Sequence, residues 1–145
     1  MRIAVVVLAI VLFLGASFLL ARVLAADSRE RSDVADLMRA QARGDTTGML
    51  SQLSGCAAKP ACAARVRANA RALRRPGEVK LVRFDPSTTF ALSPHTATAR
   101  VVWNTLRTHR PVVQCVTVRR TGDILSGPGV QLRSVSGPLR GTAGC

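Results

Sequence analysis

The residues of this chain with the most chemistry in them are four cysteines: Cys56, Cys62, Cys115 and Cys145. An even set in an oxidising compartment pairs into disulfides, and three connectivities are open to four cysteines. The spacing favours Cys56–Cys62 with Cys115–Cys145. The first two flank Ala-Ala-Lys-Pro-Ala, where Pro60 suits the first turn of a helix, so a small staple closes there without difficulty. A loop that short contributes about 2–2.5 kcal/mol through lost chain entropy. The second pair would tie the tail Gly141-Thr142-Ala143-Gly144 to the segment carrying Cys115. Zinc asks for thiolates and imidazoles at tetrahedral spacing, and Cys-x5-Cys with no histidine nearby does not supply it. No Cys-x-x-Cys offers redox exchange, and no cofactor is expected.

Other reactive types are sparse. His95 and His109 both fall in sequence read as turns and are expected to be exposed. No Ser–His–Asp set, phosphate-cradling glycine loop or carboxylate pair can be assembled from the spacing, so no catalytic residue is expected. What the chain has in excess is positive charge: Lys and Arg total 21 against 8 Asp and Glu, a formal charge of +13, and all but Lys59 and Lys80 are Arg. Abundant Ala beside Arg is the pattern a GC-rich coding bias produces, so part of this charge is expected to reflect codon usage. One cluster stands out: Arg67, Arg71, Arg74 and Arg75 share the polar side of a two-faced helix whose apolar stripe is Cys62, Val66, Ala70 and Leu73. Such a face is either solvated or meets an anionic partner, such as lipid headgroups or a cell-wall polymer. Nucleic acid is not expected. The aromatics are Phe13, Phe18, Phe84, Phe90 and Trp103, too few for a stacking platform.

The N-terminus decides where these groups work. Ile3 to Ala21 runs 19 residues without a charge. At about 1.5 Å per residue that just crosses a hydrocarbon core of about 30 Å. Arg2 followed by this run and by Val23-Leu24-Ala25 also fits a secretory signal with a small-x-small cleavage site. The length of the run and the intrusion of Arg22 favour an uncleaved anchor. Either reading divides the chain into residues 1–26, anchor or signal peptide, and residues 27–145, an extracytoplasmic domain. Leu53-Ser54-Gly55-Cys56 spells a lipoprotein cleavage box, but it lies far beyond the apolar run, where the box has no mechanism.

The elements that must position these groups follow from periodicity. Asp27 to Arg43 is helical in pattern, with Val34, Leu37, Met38 and Ala42 at three- and four-residue spacing; Asp27 or Ser28 is expected to break or cap the chain as it leaves the anchor, and Gly44 to end the helix. Thr46 to Leu53 makes a second short helix, and Pro60 to Arg75 a third, stopped by Pro76-Gly77. The period then changes to two. Strands are expected over Val79–Asp85, Thr88–Leu92, a half-buried run from Ala97 to Asn104, a central one from Pro111 to Arg120, and Val130–Ser136, with turn signals around Ile124-Leu125. Trp103 falls on an apolar strand face, as a core residue would. Helices first and four to five antiparallel strands after make an α+β domain.

The order resembles the cystatin-like, nuclear transport factor 2-like superfamily. The matching stretches are Asp33-Val34-Ala35-Asp36-Leu37-Met38-Arg39-Ala40 with Arg43-Gly44-Asp45, then Thr98-Ala99-Arg100-Val101-Val102-Trp103, then Gln114-Cys115-Val116-Thr117-Val118. Small exported actinobacterial members with one N-terminal anchor look much like this chain. The resemblance implies two to three helices packed into the concave face of a curved sheet. Enzymatic members place an acid–base pair, often Asp with His, inside that cone. Here His95, His109 and Asp85 fall at turns, a departure that argues against catalysis. The expectation is a single-pass extracytoplasmic interaction or accessory module that contacts other envelope proteins; the alternative is a secreted domain that binds a small ligand after signal cleavage.

Overall fold

A computed structural model describes residues 2–87, 95–121, 129–140 and 144–145. The chain is α+β, with three helices packed on a curved antiparallel sheet among the described residues. Helix α1 (Arg2–Arg43) is 42 residues long and unbroken. The break expected at Asp27-Ser28 does not occur, because no Gly or Pro lies between Gly15 and Gly44 to interrupt the hydrogen-bond ladder. Asp27 turns its carboxylate to a distant arginine instead of capping its own backbone.

The helix ends as its sequence specifies. Gly44 sits in the left-handed region at φ 74°, the amide of Gly44 donates to Gln41 and that of Asp45 to Ala40, and the closing carbonyls are thereby satisfied. Asp45 then caps α2 (Thr46–Gln52) by accepting from the Gly48 amide at 2.8 Å. Helix α3 (Pro60–Ala72) begins on Pro60 and closes through the Leu73 amide on Asn69.

The strands are β1 (Val79–Asp85), β2 (His95–Thr105), β3 (Val112–Thr121) and β4 (Gly129–Val135), paired antiparallel in that order. Two bulges, at Leu81/Arg83 and Thr117/Val118, add local twist. Alternation puts Ala99, Val101 and Trp103 of β2 on the same face as Val112, Val116 and Val118 of β3. Against this face lie Val34, Leu37 and Met38 of α1, Met49 and Leu53 at α2, and Val66, Ala70 and Leu73 at α3. The expected strand at Thr88–Leu92, the turn around Ile124-Leu125 and the tail residues 141–143 lie outside the described residues.

Polar groups inside this core are paired. Gln114 accepts from Trp103 Nε1 and from Gln41 Nε2, both at 2.8 Å, and donates to the Ser136 carbonyl at 2.8 Å. Asn69 donates to the same carbonyl. A central β3, a helix and the strand that ends at Val135 are thus joined by one amide network.

Candidate interaction surface

Both disulfides form in the favoured connectivity: Cys56–Cys62 across 6 residues and Cys115–Cys145 across 30. The first staples the α2–α3 connection, and the second holds the end of the chain to β3. Cys56 is wholly buried within the core it closes. The lipoprotein-like box therefore ends in a structural cystine.

Residues Ile3–Ala21 of α1 form an apolar stretch with a mean hydropathy of 3.0 and none of it buried. Ile3 is 82% exposed and Phe13 70%. Beyond it the same helix enters the domain: Glu30, Val34, Leu37, Met38 and Gln41 are fully buried. Counting along the rod at about 1.5 Å per residue, the domain begins about 9 Å past Ala21, at Asp27, and the helix ends about 35 Å past it, at Gly44. The domain thus has a near end and a far end relative to the apolar segment.

The near end carries an ion cluster that spacing did not reveal. Arg120, at the end of β3, donates to Glu30 Oε2 from Nε at 3.0 Å and from Nη2 at 2.6 Å, and to Asp27 Oδ1 from Nη2 at 2.5 Å. Ser87 donates its amide to Glu30 Oε1 at 2.8 Å and its hydroxyl to Oε2 at 2.9 Å. This corrects the expectation that no carboxylate pair could be assembled: Asp27 and Glu30, one turn apart on α1, converge on one guanidinium. Burial disfavours charge on Arg120, but its hydrogen bonds and proximity to both carboxylates outweigh that and raise its pKa above the usual value. Every oxygen of Glu30 is occupied by protein donors, and the cluster ties α1 to β3. The signal available in the sequence was a lone Glu on the same helical stripe as Val34 and Leu37.

His95 is also corrected. It does not stand in a turn but opens β2, half-buried and in register with Arg120, because the β2–β3 ladder runs two residues further than the apolar alternation. His109 does lie exposed in the β2–β3 turn, with φ 47°. Among the described residues no three of His, Cys, Asp and Glu converge as a metal set would.

The arginine face divides. Arg67, Arg71 and Arg74 are exposed on or just past α3, in keeping with their four- and three-residue spacing. Arg75 leaves the face: its Nη1 donates to the Arg110 carbonyl at 2.6 Å, and its guanidinium lies 5.8 Å from the centre of the Trp103 ring. Its amide also donates to the Ala42 carbonyl at 2.9 Å. Arg75 is a bracket joining α1, α3 and the β2–β3 turn. That bracket sets the β2–β3 turn, with exposed Arg107 and Arg110, beside the C-terminal end of α3. Spacing along α3 could not show this, since the contact reaches residues more than thirty positions away.

Two open grooves line α1. One, of about 400 Å³, runs beside Asp33, Asp36, Arg39 and Arg43 to Gln131 and Leu132 of β4; the other, of about 460 Å³, lies between Arg31, Ala35 and Lys80. Both are shallow and polar at the rim, and neither lies between α3 and the sheet. In comparison with known proteins, no family model, no curated protein and no solved structure matches this chain.

Proposed function

We propose that the chain is a single-pass, membrane-anchored extracytoplasmic module that presents its α+β domain to other components of the envelope and carries out no catalysis. The observation that carries this reading is α1, a single helix whose apolar, fully exposed first half continues without interruption into the core of the domain. An exposed stretch of such hydropathy is costly in water and favourable in lipid. Two disulfides support an oxidising compartment for the remainder. The fold order remains similar to that of the cystatin-like, nuclear transport factor 2-like superfamily, whose non-enzymatic members act as accessory domains.

The test is alkaline extraction of membranes containing the full chain, followed by intact mass with and without reduction. Retention in the pellet at the full-length mass, with a gain of about four hydrogens on reduction, is the expected result. A soluble species beginning near Ala26 or Asp27 would overturn the anchor and favour the alternative, a secreted domain binding a small ligand.

A further inference from the structure

We propose that the open edge of β1, where it borders the groove beside α1, takes up an extended acidic segment of another envelope protein as an added strand of the sheet. The location of that partner rests on the anchored reading; the binding itself does not.

The edge argues first. The sheet order leaves two outer strands, β1 and β4. The fold closes part of β4 itself: the Ser54 amide donates to the Leu132 carbonyl at 2.8 Å, and Leu53 bridges Leu132. No such segment reaches β1 among the described residues. The Leu106 amide donates to the Glu78 carbonyl at 3.1 Å, and the register continues with Lys80 opposite Asn104. Antiparallel ladders alternate, so Val79 and Leu81 turn their N–H and C=O groups away from β2. With Lys80 these two residues form the β1 wall of the groove of about 460 Å³, whose other wall is α1 from Ser28 to Arg39. At about 1.5 Å per residue that wall is about 17 Å long, room for about five residues of extended chain at about 3.4 Å each.

Charge selects the occupant. The lining contains Arg31, Arg39 and Lys80 and no carboxylate. Arg39 is held by Asp36, which opens onto the other groove with Asp33, and Glu78 adjoins the start of β1. Arg31 and Lys80 are exposed and have no ion-pair partner among the described residues. A strand that brings carboxylates to these two gains ion pairs as well as ladder hydrogen bonds, whereas a basic strand meets like charge. A lysine and a bulge are the devices by which an edge strand resists indiscriminate pairing. Lys80 and the bulge at Leu81/Arg83 narrow this edge to an acidic partner.

A second copy does not suit the edge. Glu30 is bonded to Arg120 and Gln41 to Gln114, so α1 runs antiparallel to β3 and therefore to β1. Two β1 edges paired antiparallel about a twofold axis would set their α1 helices antiparallel as well, and the apolar segments would leave in opposite directions.

The experiment uses the full-length protein in nanodiscs of zwitterionic lipid, with an end-blocked hexapeptide alternating Glu and Val as the probe. Hydrogen exchange read residue by residue should show the Val79 and Leu81 amides protected about tenfold or more on peptide binding, and Lys80, already paired with β2, unchanged. The same peptide with its backbone nitrogens methylated keeps its carboxylates but loses its ladder donors, and should bind about tenfold more weakly. A peptide alternating Lys and Val should be weaker by a similar factor. Arg31→Gln with Lys80→Gln should weaken the Glu peptide about fivefold, the worth of two solvent-facing ion pairs, and leave the unfolding midpoint unchanged, because both side chains are exposed. No binding of the Glu peptide at millimolar concentration, protection of other strands in place of Val79 and Leu81, or equal binding of the methylated or Lys peptide would overturn the proposal. So would a protein whose Val79 and Leu81 amides are already protected by self-association. Loss of the anchor in the extraction test would leave the peptide results intact and bear on the anchored reading alone.

Discussion

Arg120 Nη2 lies 2.6 Å from Glu30 Oε2, and this pair fixes how the domain is mounted on its own helix. Glu30 is fully buried and Arg120 partly so, at 15% side-chain exposure. The contact spans 90 residues of sequence and sits at the first buried turn of α1. Without it, the sheet would meet α1 through apolar packing and the Gln41–Gln114 hydrogen bond further along, and the first buried turn of the helix would lose its polar tie to β3.

Arg120→Ala should lower stability by about 3–5 kcal/mol, because it strands a buried carboxylate. The double change Glu30→Leu with Arg120→Met should recover most of that loss, since it removes both charges and keeps the volume. Thermal unfolding of the wild type, single and double variants in detergent checks both, and an additive double variant would refute the coupling.

Gln114→Leu should cost about 2–4 kcal/mol, since it leaves Trp103 Nε1 and Gln41 Nε2 without their shared acceptor in the core. Trp103 is the one tryptophan of the chain, so its fluorescence reports the transition directly. A stability equal to wild type would mean that the buried donors find other partners.

The two disulfides should contribute unequally. In the chain-entropy treatment the loop closed by Cys115–Cys145 is worth about 3.7 kcal/mol and that closed by Cys56–Cys62 about 2.4 kcal/mol. Denaturant unfolding of the paired Cys→Ser variants should rank them in that order. The reverse ranking would assign Cys56–Cys62, buried between α2 and α3, a role in the native state beyond loop closure.

Asp33 supplies a pH dependence. Partial loss of solvent on its groove side, with Asp36 nearby and Arg29 in part offsetting them, raises its pKa above the ordinary carboxylate value of about 3.9, and the exposure of the residue keeps the effect small. The folded state therefore holds the Asp33 proton more tightly than the unfolded chain does, and stability declines as pH rises from that ordinary value through the raised one. Asp33→Asn should raise the melting temperature slightly at pH 7 and leave it unchanged below about pH 2.5, where Asp33 is protonated in both the folded and the unfolded state. A gain that persists at acid pH would trace to something other than charge.

The backbone plan was legible because apolar spacing reports it. Val34, Leu37, Met38 and Ala42 are all buried as their period requires, β1 ends at Asp85 before Pro86, and β3, apolar on both faces, pairs on both edges. The polar interior was not legible. Glu30, Gln41, Asn69 and Gln114 read as solvent-facing by type, and each is buried by a partner between 22 and 90 residues away. The arginine face was legible in part: Arg67, Arg71 and Arg74 share a helix stripe and stay exposed, but Arg75 was misplaced because nothing local announces that it will seek Trp103 and the Arg110 carbonyl. The continuity of α1 was missed for a similar reason. Asp27 and Ser28 are good capping residues, yet a cap is needed only where something breaks the ladder.

That continuity makes the sharpest mechanical prediction. An unbroken helix holds the domain at fixed height and rotation over the apolar segment, whereas a flexible joint would let it swing. Nitroxide labels introduced as unnatural amino acids at positions 16 and 43 should give a narrow distance distribution near 40 Å in nanodiscs, the length of 27 helical steps. Inserting two glycines between Ala25 and Ala26 should broaden that distribution sharply, because the insertion both lengthens the rod and interrupts its hydrogen bonds. Domain stability should change by less than about 1 kcal/mol, since Asp27 can then cap the shortened helix and Glu30 keeps its partners. A broad distribution in the wild type would place a joint between the apolar segment and the domain. A collapse in stability on insertion would instead make the apolar segment part of the folding unit itself.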